Sequence, residues 1–446
     1  MKKFLAVCIS LIMVFGIACI SLAAEEPILI SAREDILTLP KQIVVQNNGE
    51  FIDFTDSEGN IVEPQIINDR TMVPFRKIFN ALGVKDEDIS WNGETKTVIA
   101  KKDNLEIELQ IDNVTAKKIV DGNTNEIKLD SAPVIVEGRT LVPVRFIAES
   151  MDKKVGWDNA NRAVIIIDTS DLTTDLEKTI PKFIELTKSE IEIPEKYGMT
   201  AKVTGSLEYK DKANKENDSV TNLVGTIDMQ KDANILEMNL DAKFSGKGAI
   251  YDLINEIGFS NFDFKMIADD SKMYMKSSML DSQTNGKWVM TESSSLSNIF
   301  TTVNDSKNGL DTLFEVKEEE MNIYTYESLK MSALLLKAMC KDENIKITEK
   351  GSTKTYEFNI DIKNILDVYQ ELGITIPTDT INGSVKSVST YKNNVEDSSN
   401  TEIKVEYKEG NETMTFDFKI DGKVSEKNAT INVPSESQII RADELN

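Results

Sequence analysis

Histidine is absent from all 446 residues, and cysteine occurs only three times. The first absence removes Ser-His-Asp and Cys-His catalysis and every histidine-containing metal site. Cys8 and Cys19 lie in an apolar leader, so a chain cleaved after it keeps only Cys340. One thiol forms neither an intramolecular disulfide nor a thiolate zinc cage. Cys340 ends the apolar, helix-like stretch SLKMSALLLKAMC and reads as a buried, inert thiol. There is no Walker loop and no dinucleotide fingerprint. FTDSEGN carries Asp56, Glu58 and Gly59 of a calcium loop, but Phe54 and Gln65 stand at its first and twelfth positions, so the pattern fails. Basic charge is also short, with 51 Lys and Arg against 75 Asp and Glu, a net of −24. Such a surface repels phosphate backbones, so nucleic acid is not an expected partner. No cofactor and no metal is expected.

The first 24 residues place Lys2 and Lys3 before an apolar run that ends in small residues, the layout of a secretory signal peptide cleaved after Ala23 or Ala24. Loss of those two lysines takes the net charge from −24 to −26. Two alternatives stay open. The run from Phe4 to Ala24 is long enough for an uncleaved membrane anchor. Acylation at Cys19 would make a lipoprotein, although Gly16 stands where a lipobox has leucine. The expected location is extracellular or in the cell envelope.

What is present begins with a repetition. RTMVPFRKIF starts at Arg70 and RTLVPVRFIA at Arg139, an offset of 69 residues. Turn residues precede each phrase, IINDR and VEGR, as between paired strands. After it, Phe75, Ile78, Phe79 and Leu82 recur at helical spacing, as do Val144, Ile147, Ala148 and Met151. Pro74 and Pro143 suit a first helical turn, where a missing N–H costs nothing. Gly83 is a natural helix stop, and Asp152 takes its place in the second copy. WNGETKTVIA and WDNANRAVIIID then read as strand, polar turn, strand, with Trp91 and Trp157 each seven residues before a valine, Val98 and Val164. LEIELQI alternates cleanly between the copies. Arg70, Arg76, Arg139 and Arg145 hold fixed places in the repeat and read as partners of local carboxylates or carbonyls rather than as a ligand pair.

This phrase, the helix after it and the W-[DN] before a strand resemble the copper amine oxidase N-terminal domain, or stalk domain, over about 43–168. The resemblance implies an antiparallel sheet wrapped around helix, a module appended to many unrelated extracellular bacterial proteins. It does not imply copper amine oxidation, which needs copper-binding histidines and a quinone built from tyrosine in an N-Y-[DE] motif. This chain has no histidine and no Asn-Tyr pair.

DTSDLTTD, 168–175, is a polar seam and a reasonable boundary. Leu176, Ile180, Phe183, Ile184 and Ile191 follow as a helical stripe, with Pro181 tolerable near a start or a kink. Then the period changes to two. Met199 to Tyr209, Leu223 to Met229, Leu236 to Phe244 and Phe262 to Ala268 alternate as long strands apolar on one face, and KMYMKSS and GKWVMTE continue them. Leu329, Ala333, Leu336 and Cys340 mark a helix, as do Ile362, Ile365, Leu366, Tyr369 and Leu372, before TEIKVEY, TMTFDFKI and ATINVP return to strands. Strands, helices, then strands imply a broad antiparallel sheet with helices over its apolar face. The layout, with MYMKSSMLDSQTNGKWVM and the late INVP, resembles the half-barrel domains of LolA-like and LppX-like envelope lipoproteins over 176–440. That resemblance implies a lipid or acyl chain held between a curved sheet and helical lids.

The expected fold class is therefore α+β: a duplicated stalk domain of antiparallel strands around short helices (43–168, repeats about 43–100 and 101–168), then a broad curved antiparallel half-barrel with covering helices (176–440). Met199, Met229, Met238, Met266, Met273, Met275 and Trp288 form the candidate apolar ligand face, since methionine fills variable apolar space, although the same residues serve an ordinary core. The expected function is a non-catalytic envelope protein whose C-terminal module binds a lipid or other apolar molecule. The alternatives are a structural scaffold that contacts an envelope protein or wall component, and a carboxylate-based hydrolase.

Overall fold

The structure is a computed structural model that describes residues 42–55, 58–188, 196–232, 235–269, 271–292, 314, 316–373, 381–425 and 430–444. The leader and Ile191 lie outside the described residues. The fold is α+β, with four sheets and eight α-helices among those residues. Two compact units emerge. One unit contains Pro27–Asp175 and also Phe314–Ala333, while the other contains Leu176–Leu313 and Leu334–Asn446.

In the N-terminal unit the repeated phrase forms two strands that pair with each other. β3 (Gln65–Ile67) and β4 (Arg70–Pro74) make one hairpin, and β10 (Val134–Val136) and β11 (Arg139–Pro143) make the other. Both turns need positive φ at two consecutive residues, met by Asn68 (53°) and Asp69 (58°) and by Glu137 (48°) and Gly138 (75°). β4 and β11 then run antiparallel, with Leu141 opposite Pro74, Val142 opposite Val73 and Pro143 opposite Met72. Val73 and Val142 are equivalent positions of the two copies, so a local two-fold axis passes between them.

Helices α1 (Phe75–Ala81) and α2 (Val144–Ser150) start directly from these strands. Pro74 and Pro143 occupy the N-cap position, one step earlier than the first-turn placement expected from sequence. They end the strand and begin the helix at one residue, because a fixed φ near −60° is compatible with both. Gly83 (φ 84°) and Asp152 (φ 58°) turn the chain out of each helix as expected. Ile78, Phe79, Ile147 and Ala148 have no exposed surface and belong to one core with Val98, Leu109, Val142 and Val164. Neither seven-residue helix could bury its stripe alone, and each is sealed by the other copy.

Around this core, β5 (Ile89–Asn92), β6 (Thr97–Lys102), β7 (Leu105–Gln110), β8 (Thr115–Val120) and β9 (Asn123–Lys128) form a five-stranded meander. In the second copy β12 (Lys154–Asp158) and β13 (Ala163–Ile167) join β1 (Val44–Asn47) and β2 (Glu50–Phe51), with β1 parallel to β13. The seven-residue Trp–Val spacings resolve into direct cross-strand pairs, Trp91 with Val98 and Trp157 with Val164.

The copies differ on their outer faces. β6 alternates between buried and partly exposed residues, whereas β13 is buried at all five positions. The cover on β13 comes from residues 316–329, a strap far along the chain that packs Met321 and Ile323 on Ala163, Ile165 and Ile167. Polar contacts hold it in place. The Ile323 N–H donates to Asp158 Oδ2 at 3.2 Å, and Gln46 Nε2 donates to the Ile323 carbonyl at 3.0 Å. Lys154 Nζ donates to the Val316 carbonyl at 3.2 Å, and Arg145 pairs with Glu318 at 2.6 Å. Gly156 admits this backbone: a Cβ there would lie 2.5 Å from Met321 Cβ and 2.7 Å from the Glu318 carbonyl oxygen. The matching residue in the first copy is the exposed Ser90.

At the end of β13, Asp168 accepts hydrogen bonds from Lys153 and from the Ser170 N–H and hydroxyl. Burial pushes its carboxyl up, but the hydrogen bonds from Lys153 and Ser170 outweigh this and hold it below the ordinary carboxylate range. A group with a depressed folded-state pKa contributes stability above its unfolded pKa and loses it as pH falls through the folded value. Replacing Lys153, whose side chain is only 10% exposed, by methionine should cost about 1–3 kcal/mol near neutral pH, and the gap to the parent should close on acidification. Urea titrations at a series of pH values measure this; a gap that does not change with pH would contradict it.

The C-terminal unit is built on a twelve-stranded sheet in the order β20-β21-β22-β23-β24-β14-β15-β16-β17-β18-β19-β25. Its strands are β14 (Lys196–Asp211), β15 (Ser219–Asp232), β16 (Ile235–Lys247), β17 (Asn261–Ala268), β18 (Lys272–Lys276), β19 (Trp288–Glu292), β20 (Ile345–Lys350), β21 (Thr353–Asp361), β22 (Ile381–Lys392), β23 (Val395–Glu409), β24 (Glu412–Ser425) and β25 (Ile439–Arg441). All neighbours are antiparallel except β19 and β25. The predicted stripe at 176–191 is broken: α3 (Ser170–Thr179) ends before Ile180, and Pro181 opens α4 (Pro181–Thr187) as its first residue.

The remaining helices are α5 (Ala249–Glu256), α6 (Asp281–Thr284), α7 (Thr325–Met339) and α8 (Ile362–Glu371). α5 meets the sheet at Ser219, whose hydroxyl accepts the Ile250 N–H. α8 lies against Gly383, where a Cβ would come 2.8 Å from Ile362 Cδ1. Cys340 is free and buried, and burial pushes its thiol up to about 12, consistent with an inert role.

Candidate ligand face of the twelve-stranded sheet

Strand alternation puts Met199, Ala201, Val203, Gly205, Leu207 and Tyr209 on one face of β14, and the pairing register carries that face across the sheet. Met199 stands opposite Met229, Met229 opposite Met238, Met238 opposite Met266, and Met266 opposite Met275. Five methionines thus form one cross-strand row, continued by Val424 at one end and by Val289 and Ile440 at the other. Four strand spacings separate the first methionine from the last, about 19 Å. Next to it runs a second row of Ala201, Ile227, Leu240 and Phe264.

All five methionines are half-buried, as are Ile227 and Leu240. Two helices meet this face far from the row: α5 at Ser219, opposite Tyr209, and α8 over Gly383, which is linked through Val405 and Phe416 to Leu207, eight residues along β14 from Met199. These two helices cover the end of the face away from the methionines. Thioether chains in direct cross-strand contact adapt to whatever lies on them, since each has three rotatable bonds.

Met273 shares the face but stands in the adjacent row, opposite Ala268 and Thr291. Trp288 does not belong to it. Val289 continues the methionine row, so Trp288 points to the other side, where it packs with Ile267, Tyr274, Met290, Ile431 and Ile439. The seven candidates thus divide into a row of five, one neighbour and one core residue of the opposite face.

One end of the row carries polar groups that the sequence pattern does not reveal. A bulge between β22 and β23 pairs Thr390 with Ser398 and then Tyr391 with Glu396, skipping Asp397. Strict alternation from Ile403 through Thr401 and Ser399 would bring Asp397 to the apolar face; the extra residue brings Glu396 instead. Tyr197, two residues before Met199, lies within electrostatic range of Glu396. Tyr356 packs edge-on against Tyr391 with ring centroids 5.4 Å apart. Burial pushes the Glu396 carboxyl above the ordinary range, and burial with the nearby Glu396 charge pushes both Tyr197 and Tyr391 up.

Away from the Trp288 cluster, the opposite face is polar across β14–β17. Lys202, Thr226, Asp241, Asp263 and Ser278 line an open depression of about 620 Å³ there. Asp241 and Asp263 stand directly opposite each other, and the Ser278 N–H and hydroxyl donate to Asp263. No group of three or more acidic or thiol side chains suited to a metal ion occurs among the described residues.

In the N-terminal unit the repeated arginines each hold a carboxylate. Arg70 pairs with Asp130 (2.8 Å), Arg76 with Asp86 (3.0 Å), Arg139 with Glu58 (3.9 Å), and Arg145 with Glu149 (3.3 Å) as well as Glu318. All four are more than a third exposed, so each pair contributes little to stability. Pro74, Pro143, Trp91 and Trp157 serve the junctions and hairpins described above.

No curated protein matches the sequence. Among solved structures, the chain aligns with the crystal structure of Acinetobacter baumannii OccAB4 at 10% identity over 84% of this chain and 94% of that one, with a TM-score of 0.12, too low to carry an argument. The half-barrel resemblance of 176–440 to LolA-like and LppX-like proteins is supported by none of the matches. The family profile of the copper amine oxidase N-terminal domain matches residues 54–166, the stretch that contains both copies of the repeated phrase. Residues 54–166 thus match the copper amine oxidase N-terminal domain family, with a duplication about a local two-fold axis and no histidine.

Proposed function

We propose that the protein is an exported, non-catalytic cell-envelope protein in which the duplicated domain presents the C-terminal sheet, and that the apolar face of this sheet binds a lipid or another elongated apolar molecule. The observation that carries the reading is the half-buried row of five methionines about 19 Å long. Covering such surface is worth about 25 cal/mol per Å² of apolar area removed from water. A row of that length suits an extended chain better than a compact metabolite. Export rests on the leader sequence at residues 1–24. No helix among the described residues is long and apolar enough to cross a membrane.

The test is native mass spectrometry of the full chain purified without detergent, followed by organic extraction. The full chain is required because 314–333 packs with the N-terminal unit, so a fragment starting near residue 171 would separate the strap from the sheet it covers. A discrete added mass that extracts as lipid or acyl chain is expected. A clean apoprotein mass that stays unchanged after incubation with mixed membrane lipids would refute ligand binding and favour the scaffold reading.

A further inference from the structure

On the reading that this face binds an apolar chain, we propose that its ligand is an amphiphile with an organic ammonium head, seated between Glu396, Tyr197 and Tyr391 while its chain lies along the methionine row. The sheet brings these groups together from three strands: Tyr391 of β22 is directly opposite Glu396 of β23, and Tyr197 of β14 is two residues from Met199, the first methionine of the row. Ser398, the last residue of β23 paired before the bulge, is opposite Lys423, whose neighbour Val424 is opposite Met199, so the head and chain sites adjoin.

The chemistry of the head follows from the groups that face it. Glu396 has no hydrogen-bond or ion-pair partner among the described residues, although it is half-buried. A carboxylate in that setting gains most from a cation that sheds little hydration, and aromatic rings beside it add cation–π attraction. Tyr356, edge-on to Tyr391, holds that ring in place. Two lysines flank the site on the same face: Lys231 stands opposite Tyr197 on β15, and Lys354 stands opposite Tyr391 on β21, where it pairs with Glu349. The net charge of −24 favours a cationic over an anionic amphiphile at long range as well.

Calorimetric titration of the full chain with dodecyltrimethylammonium and with dodecanoate, each below its micellar range and at one physiological ionic strength, separates head from chain. The ammonium amphiphile is expected to bind about tenfold or more tightly than dodecanoate. Glu396→Gln should bring the two to near parity. Glu402→Gln removes the same charge from the opposite face of the same strand and should leave the preference intact. Tyr391→Phe should retain the preference and Tyr391→Leu should weaken it. Equal binding of both probes, tighter dodecanoate, or equal responses to the two glutamate variants would overturn the ammonium head while leaving the apolar-face reading standing. Failure of both probes to bind at all would overturn both readings.

Discussion

Replacing Gly156 by valine is expected to expel the strap from the N-terminal unit and to destabilise that unit by about 2–4 kcal/mol. The backbone at Gly156 is not left-handed, so the cost is steric rather than conformational: the new Cβ would sit 2.5 Å from Met321 Cβ and 2.7 Å from a backbone oxygen. A flexible side-chain tip could swing aside, but a backbone carbonyl and a Cβ move only with their chain. Once displaced, Met321 and Ile323 lose their burial, and Ala163, Ile165 and Ile167 face water. The Asp158 and Gln46 hydrogen bonds to Ile323 are lost in the same event. Limited proteolysis should then cut within 316–324, and amide exchange should accelerate in β13. Ser90→Val, the equivalent change in the first copy, serves as the control and should be close to neutral, because Ser90 is exposed. Similar effects of the two substitutions would mean that the strap does not hold the second copy.

The double replacement Pro143→Gly and Val144→Asp should damage the core more severely, by more than about 3 kcal/mol. Val144 is 2% exposed and belongs to the core shared by both copies, so an aspartate there must either bury an unpaired carboxylate or open the helix. Glycine at 143 also releases the fixed φ at which β11 becomes α2. Because α1 and α2 are sealed by each other's copy, protection from amide exchange should fall at Ile78 and Phe79 as well as at Ile147. Melting like the parent would show that the repeated phrase does not organise the core. Loss of protection confined to the second copy would show that the copies fold separately.

Much of this architecture is legible in the chain because it is local. The I′-type turns at Asn68-Asp69 and Glu137-Gly138, the left-handed stops at Gly83 and Asp152, and the Trp–Val hairpin pairs all depend on residues within a few positions of one another. The period-two stretches from Met199 onward likewise become strands of the predicted face. The continuous apolar run AVIII in β13, beside the alternating TVIAKK of β6, is a further local signal: it marks a strand buried on both faces, although it does not say by what.

The sequence by itself determined that histidine-dependent chemistry is absent, that one module is duplicated, and that the second part is a sheet with one apolar face. Only the tertiary structure decided that the two copies pair through β4 and β11, that residues 316–329 cover β13, that five methionines on five strands fall into one row, and that Trp288 turns to the opposite face. The same holds for Glu396, since one extra residue in β23 exchanges its face with that of Asp397. The division has a physical cause. Helix periodicity and turn conformation are set by neighbours along the chain, whereas register is set by which strands meet, and a one-residue shift in pairing moves every side chain beyond it to the other face.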